Sequence, residues 1–210
     1  MRRELTYRLL DVLLASIGLL ASSPLLLAAC VLIRLETSGP AIFRQRRLGC
    51  GKRPFTMHKL RTMHVAASPE VHRAYVGQLI NGSERTCCDR DRQLYKLVKD
   101  ERVTRVGRFL RRTSLDELPQ LIDVLRGEMS LVGPRPVTAY EAELYPPGFE
   151  RRFAVKPGIT GLWQVSGRNR RTYREMVALD IAWVESRSPA RYLEIVARTP
   201  LTLLRADGAA

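Results

Sequence analysis

The stretch Arg111-Arg112-Thr113-Ser114-Leu115-Asp116-Glu117-Leu118-Pro119-Gln120-Leu121 sets two adjacent carboxylates behind two arginines, at the head of an apolar-periodic run. Leu118, Leu121, Ile122 and Leu125 recur at i, i+3, i+4 and i+7, Pro119 is tolerated only near a helix start, and Gly127 is a natural stop. The spacing predicts a helix that opens at Ser114 and closes at Gly127. Ser114-x-x-Glu117 has the pattern of a capping box, which satisfies free amides and needs no chemistry. The same position favours a second use. Carboxylates in a first helical turn beside Arg111 and Arg112 are held ionised, and an ionised aspartate is a nucleophile toward phosphorus. Adjacent acids can also recruit Mg²⁺, and a helix start can bind phosphate oxygens. Downstream, Met129 to Pro136 forms a turn that fixes Arg135 between Pro134 and Pro136, a placement suited to bidentate phosphate recognition. Taken alone, the motif leaves the structural and the catalytic use both open.

The elements that would carry these residues belong to a chain of 210 residues, enough for one domain and an appendage, with a 45% hydrophobic content that supports a packed core. The excess of 35 basic over 21 acidic side chains, +14, calls for an anionic partner: nucleic acid, acidic lipid or a phosphorylated substrate. Cys30, Cys50, Cys87 and Cys88 form no C-x-x-C pair and no zinc-like array with the three histidines, which fits reduced thiols in a cytoplasmic setting. No zinc finger, RNA-binding aromatic motif or helix-turn-helix is present, so nucleic acid is not the expected partner.

From Leu9 to Ile33 the only charge is Asp11. A helix of ~25 residues is about 37 Å long and crosses a ~30 Å hydrocarbon core. Ser22-Ser23-Pro24 interrupts it midway, where proline removes a helical hydrogen bond and favours a kink that serine hydroxyls can soften. Arg2, Arg3 and Arg8 precede the stretch and Arg34, Arg44, Arg46 and Arg47 follow it, so the positive-inside rule puts both flanks on the cytoplasmic side. A helix that enters, bends at Ser23-Pro24 and returns meets both conditions. A plain span and a cleaved signal peptide compete with it, although the run through Val31-Leu32-Ile33 is too long for a signal core.

After the Thr37-to-Pro40 turn, residues 41–63 read as a basic hairpin on anionic lipid, with Lys59 and Arg61 alternating around Leu60 on one strand face. His72 to Ile80 reads as a helix, Asn81-Gly82-Ser83 as a turn and residues 87–92 as a polar loop, where Asp89 and Asp91 form a neutralised surface rather than a metal site. Glu101 to Arg112 is an amphipathic helix with Val103, Val106, Phe109 and Leu110 on one side, suited to a membrane interface. Gly158 to Gly161 and Gly167-Arg168-Asn169 are turns, and Tyr173 to Glu185 is a helix with Met176, Leu179, Asp180 and Trp183 inward. Ile195 to Leu204 is apolar but too short to cross.

These motifs, in this order, resemble the bacterial sugar transferase family, the small monotopic phosphoglycosyl transferases. The likeness rests on Ser23-Pro24 in the apolar start, Phe43-Arg44-Gln45, Lys59 to Met63, Thr113 to Gln120, Met129 to Pro136 and Lys156 to Arg168. It implies a transfer of sugar-1-phosphate from a UDP-sugar to a polyprenyl phosphate, expected to be undecaprenyl phosphate, with release of UMP. By that resemblance Asp116 attacks the β-phosphate and carries the phosphosugar, Glu117 serves Mg²⁺ or proton handling, and Lys59, Arg111 and Arg135 lie near the phosphates, with Arg61 beside Lys59 on its strand. The family commonly has Asn-Trp where this chain has Ser186-Arg187, which removes an aromatic anchor there.

The expected fold is α+β and mainly helical. A re-entrant membrane helix (residues 1–36) precedes a compact cytoplasmic catalytic domain (residues 37–210) with a small β-hairpin and interfacial amphipathic helices. No multi-span N-terminal region is expected, and the setting is the cytoplasmic face of a bacterial inner membrane, at the first step of exopolysaccharide or glycan assembly. Expected partners are UDP-sugar, polyprenyl phosphate, membrane lipids and Mg²⁺, and a homo-oligomer is left open. A non-enzymatic membrane-associated scaffold with a basic face is the alternative.

Overall fold

The computed structural model describes residues 2–65, 70–80, 100–167 and 171–204. The expected turn at 81–83, the 87–92 loop with Asp89 and Asp91, and Arg168-Asn169 lie outside the described residues. Mainly helical, the chain runs α1 (Arg2–Glu36), β1 (Ile42–Leu48), β2 (Pro54–Leu60), α2 (Glu70–Ile80), α3 (Arg105–Thr113), a 3₁₀ turn (Leu115–Glu117), α4 (Gln120–Arg126), β3 (Ser130–Val132), α5 (Ala139–Glu143), a second 3₁₀ turn (Phe149–Ala154), β4 (Gly158–Thr160), α6 (Leu162–Val165), α7 (Tyr173–Ser186) and α8 (Pro189–Leu204). β1 and β2 form the expected antiparallel hairpin, pairing Phe43 with Lys59, while β3 and β4 pair in parallel.

α1 continues through Pro24. Proline has no N–H to offer the carbonyl four residues back, and the Ser23 hydroxyl donates to that carbonyl, Leu20 O, at 2.8 Å. Ser22 donates to Gly18 O at 2.7 Å. α1 rests on the body toward both ends: Tyr7, Asp11 and Ala15 near its start and Ala29 and Ile33 near its end are buried, whereas Leu9, Leu13, Ile17, Leu20, Leu27, Val31 and Leu35 are exposed. An outward apolar stripe on a helix already packed on its other side calls for a second apolar medium.

Polar contacts fix both ends of this helix. Near its start, the buried Asp11 carboxylate accepts from Ser130 Oγ (2.9 Å), Leu131 N (2.7 Å) and Tyr192 Oη (2.7 Å). Burial first, then the neighbouring Asp11, raises the Tyr192 phenol well above its ordinary range, so it remains a donor. Arg8, one of the flanking cations, donates to Val124 O and Leu125 O at 2.5 and 2.6 Å and so caps the end of α4. At the other end, Glu36 accepts from Arg105 N and Val106 N, the first amides of α3.

The core falls into clusters that share these elements. Ala15 of α1 packs with Phe55, Met57, Leu121, Val124 and Met129, and Ala29 and Ile33 pack with Ala41, Leu60 and Leu110. α8 is longer than its apolar run implied and docks through Tyr192 and Ile195 against Trp183 of α7. Met176, Asp180 and Trp183 are buried on α7 as expected. Arg187, standing where the family has an aromatic residue, pairs with Glu4 and lies 5.2 Å from the Tyr7 ring centre, so that position still holds α1.

Candidate active site

α3 begins at Arg105, later in sequence than the expected Glu101, and is capped by Thr104, whose hydroxyl accepts from Gly107 N. Val103 sits instead in a bridge with Met63, and Phe109 is exposed rather than packed beside Leu110. Gly107 lies against Thr62, where an added Cβ would stand 2.1 Å from the Thr62 carbonyl oxygen. That close approach lets Arg111 Nε donate to Thr62 Oγ1 at 2.9 Å. Gly107→Ala should therefore force α3 off β2, costing about 1–3 kcal/mol or more by overpacking and lowering Tm in detergent. An unchanged Tm would show that the contact yields freely.

The expected capping box at Ser114 does not form. Ser114 ends α3 in the left-handed conformation (φ 58°), its side chain makes no cap hydrogen bond, and Glu117 N donates to the Ser114 carbonyl instead. The acid pair thus lies in a 3₁₀ turn behind the end of α3, and α4 starts only at Gln120. Arg111 and Asp116 attract each other electrostatically, and the acid pair stands ahead of α4 rather than in its first turn. Burial lowers the Arg111 pKa below the usual guanidinium range, opposed by Asp116 and then Asp100. The apolar spacing also misplaced one side of α4: Ile122 is exposed, and Asp123 is fully buried.

Asp116 is 9% exposed. Glu117, next to it, accepts from Lys59 Nζ at 2.8 Å, with both side chains half-buried. Glu117, Lys59 and Arg135 line one narrow polar cavity with Arg47, Met57, Gln120, Pro136, Gly158, Ile159 and Gln164. Three sequence-predicted residues thus meet at one cavity; Asp116, next to Glu117 in the chain, and Arg111 are not among its lining residues. Arg61 does not join them. β2 ends at Leu60, and the buried Arg61 guanidinium turns to the carbonyls of Ser38 (2.7 Å), Thr37 (3.0 Å) and Gly39 (3.4 Å), where it fixes the exit of α1.

Several positioning residues escaped the sequence. Asp123 accepts from His58 N at 2.9 Å and contacts His58 Nδ1 at 2.6 Å, tying α4 to β2 one residue before Lys59. Arg47, expected among solvated hairpin cations, is buried and donates to Glu141 (3.2 Å) and to Gln45 Oε1 (2.7 Å). Asp180 accepts from Arg135 N at 3.4 Å and pairs with buried Arg152, which in turn donates to Arg135 O at 2.9 Å. The pair so grips the backbone of Arg135 on both sides. Burial acts to lower the Arg152 pKa, but Asp180 and, behind it, Tyr145, Tyr173 and Glu141 reverse that, and the net direction is up.

A second, apolar cavity of about 230 Å³ adjoins the first. Leu118, Leu121, Leu131, Ile159, Val165, Val196, Pro200 and Leu203 contribute to its walls, and Glu117, Ile159 and Gln164 border both cavities.

An acid pair beside a basic cavity, joined to an apolar cavity and to a long helix with an outward apolar stripe, is the layout of an enzyme that handles anionic and lipidic groups together: a phosphoglycosyl transferase. The chain belongs to the bacterial sugar transferase family, whose profile matches residues 2–206. It is 42% identical, over 98% of its length and 72% of the relative's, to a UDP-glucose:undecaprenyl-phosphate glucose-1-phosphate transferase of Caulobacter vibrioides. To the exopolysaccharide production protein ExoY of Sinorhizobium fredii it is 41% identical over 91% of its own length and 82% of the relative's. An undecaprenyl-phosphate galactose phosphotransferase of Salmonella typhimurium is 39% identical over 96% of this chain, which spans only 41% of that longer protein.

Proposed function

We infer that this chain transfers a sugar-1-phosphate from a UDP-sugar to a polyprenyl phosphate, with undecaprenyl phosphate the acceptor its relatives point to, and releases UMP. The observation that carries this is the convergence of Lys59, Glu117 and Arg135 on one cavity, with the buried Asp116 next to Glu117 in the chain. In the first step an Asp116 carboxylate oxygen attacks the β-phosphorus. A new P–O bond forms, the bond from that phosphorus to the bridging oxygen breaks, and this oxygen leaves on UMP with its electron pair. In the second, an oxygen of polyprenyl phosphate attacks the same phosphorus, the acyl-phosphate bond breaks, and Asp116 returns as carboxylate. Lys59 and Arg135 neutralise the diphosphate, and Arg111 steadies the charge on Asp116. The apolar cavity accommodates the first isoprene units of the acceptor.

Mg²⁺ fits as a partly provided ion. Among the described residues no group of three or more His, Cys, Asp or Glu side chains could hold a metal, but Mg²⁺ commonly takes one or two carboxylates and lets substrate phosphates and water complete its shell. Asp116 and Glu117 would supply those carboxylates, and the bound ion would offset diphosphate charge. The test is UMP release from a panel of UDP-sugars with polyprenyl phosphate. Release from at least one sugar, lost on chelation with EDTA and restored by Mg²⁺, is expected; no release from any would refute the reading.

The membrane placement is a re-entrant helix, with the body (37–210) on the cytoplasmic face of the inner membrane and the first step of exopolysaccharide or glycan assembly as its role. What supports it is that Asp11 and Arg8 at one end of α1, and Glu36 at the other, are bonded to the same body. A helix crossing fully would carry one of these anchors to the far side. Ser23-Pro24 is where such a helix bends. In intact cells a membrane-impermeant maleimide should label neither exposed Cys50 nor Arg2→Cys, whereas labelling of one alone would establish a full span.

A further inference from the structure

We propose that Gln164 is a specificity-determining residue whose carboxamide oxygen accepts a hydrogen bond from a hydroxyl of the transferred sugar. This rests on the phosphoglycosyl transfer inferred above. Gln164 is the only α6 residue outside the buried core: Leu162 and Val165 pack with Trp183, Tyr192 and Ile195, and Trp163 packs with Tyr173, Met176 and Val177. Its backbone is therefore fixed on both sides, and its side chain borders the polar and the apolar cavity at once. Gln164 Oε1 is buried and has no hydrogen-bond partner among the described residues. A desolvated carboxamide oxygen left unpaired costs free energy, and such atoms in a native fold mark places where a ligand completes the set.

The chemistry of the missing partner follows from what surrounds it. Lys59 and Arg135, cations of the polar cavity, match phosphate oxygens, which only accept at this site and cannot satisfy another acceptor, while Arg47 is held by Glu141 and Gln45. The hydrocarbon of the acceptor offers no donor at all. Thr160 and Thr199, polar members of the apolar cavity, bond to each other at 2.8 Å, and the Thr202 hydroxyl is taken by Arg198 O at 2.9 Å. The position borders both cavities, and the group common to both half-reactions is the phosphosugar. Its hydroxyls are donors that the substrate would bring to that seam.

The test pairs Gln164→Leu and Gln164→Glu with a set of monodeoxy analogues of the best UDP-hexose, scored as kcat/KM for UMP release, with UMP inhibition measured alongside. For the unmodified protein one deoxy position should lower kcat/KM on the order of 10–100-fold, the loss expected when a buried acceptor is left unpaired. Gln164→Leu should lose a similar factor on the parent sugar and become indifferent to that hydroxyl. Gln164→Glu keeps an acceptor and should keep the preference, and UMP inhibition should stay unchanged in both. Equal losses across the whole set in Gln164→Leu, retained preference in Gln164→Leu, or weakened UMP inhibition would overturn the assignment. Absence of UMP release by the unmodified protein with every UDP-hexose is a different result: it removes the transferase reading, and this assignment with it.

Discussion

Asp116→Asn should lower UMP release by at least about 10⁴-fold while leaving the fold in place, because removal of a covalent nucleophile forfeits the step and not merely part of a binding interaction. The substitution preserves volume at a site only 9% exposed, so no cavity opens. Arg111 loses one favourable neighbour but retains Asp100 and its hydrogen bond to Thr62. Tm should accordingly change little, and KM for the UDP-sugar should move less than kcat, since Lys59 and Arg135 still meet the diphosphate. A loss of only a few-fold in kcat would mean that Asp116 positions a ligand and that water or another group attacks phosphorus.

The largest structural effect is expected at Asp180. Asp180→Ala leaves the Arg152 guanidinium buried without its carboxylate and should destabilise the protein by about 3–5 kcal/mol, the cost of breaking a buried pair by removing one partner. Denaturant unfolding in detergent reads this directly. Because Asp180 and Arg152 also hold the N–H and the carbonyl of Arg135, UDP-sugar KM should rise at temperatures where the variant is still folded. Asp180→Asn keeps acceptor geometry and should recover part of the KM while remaining less stable. If Asp180→Ala unfolds with wild-type energy, the pair contributes nothing and its grip on Arg135 is incidental.

Much of the candidate site was legible because its residues come in local runs. The acid pair, Lys59 and Arg135 each sit in a short motif whose chemistry is visible in residue type, and the fold brings three of them to one cavity. Local pattern failed at element ends. Ser114 was read as the N-cap of the following helix, and in the structure it is instead the left-handed end of the preceding one. Alternation around Leu60 was carried one residue beyond the end of β2, so Arg61 was placed with Lys59 although it serves the α1 exit. The positioning pairs were illegible for a different reason. His58 and Asp123 are 65 residues apart, Arg47 and Glu141 are 94 apart, and no periodicity links residues across such separations.

The helical character, the hairpin and the apolar start followed from period and length. The course of α1 did not. Composition sets how apolar a helix is, but its anchoring depends on Asp11, Arg8 and Glu36 finding partners on β3, α4 and α3, which only the folded chain shows.

The central claim is that Asp116 carries the phosphosugar, and intact-mass analysis after brief incubation with a UDP-sugar and Mg²⁺, without polyprenyl phosphate, tests it most directly. The expected result is a mass gain equal to one sugar phosphate, mapped by peptide analysis to Asp116, absent from Asp116→Asn and discharged when polyprenyl phosphate is added. An adduct that persists in Asp116→Asn, or full turnover to polyprenyl diphosphate sugar without any adduct on rapid quenching, would contradict it.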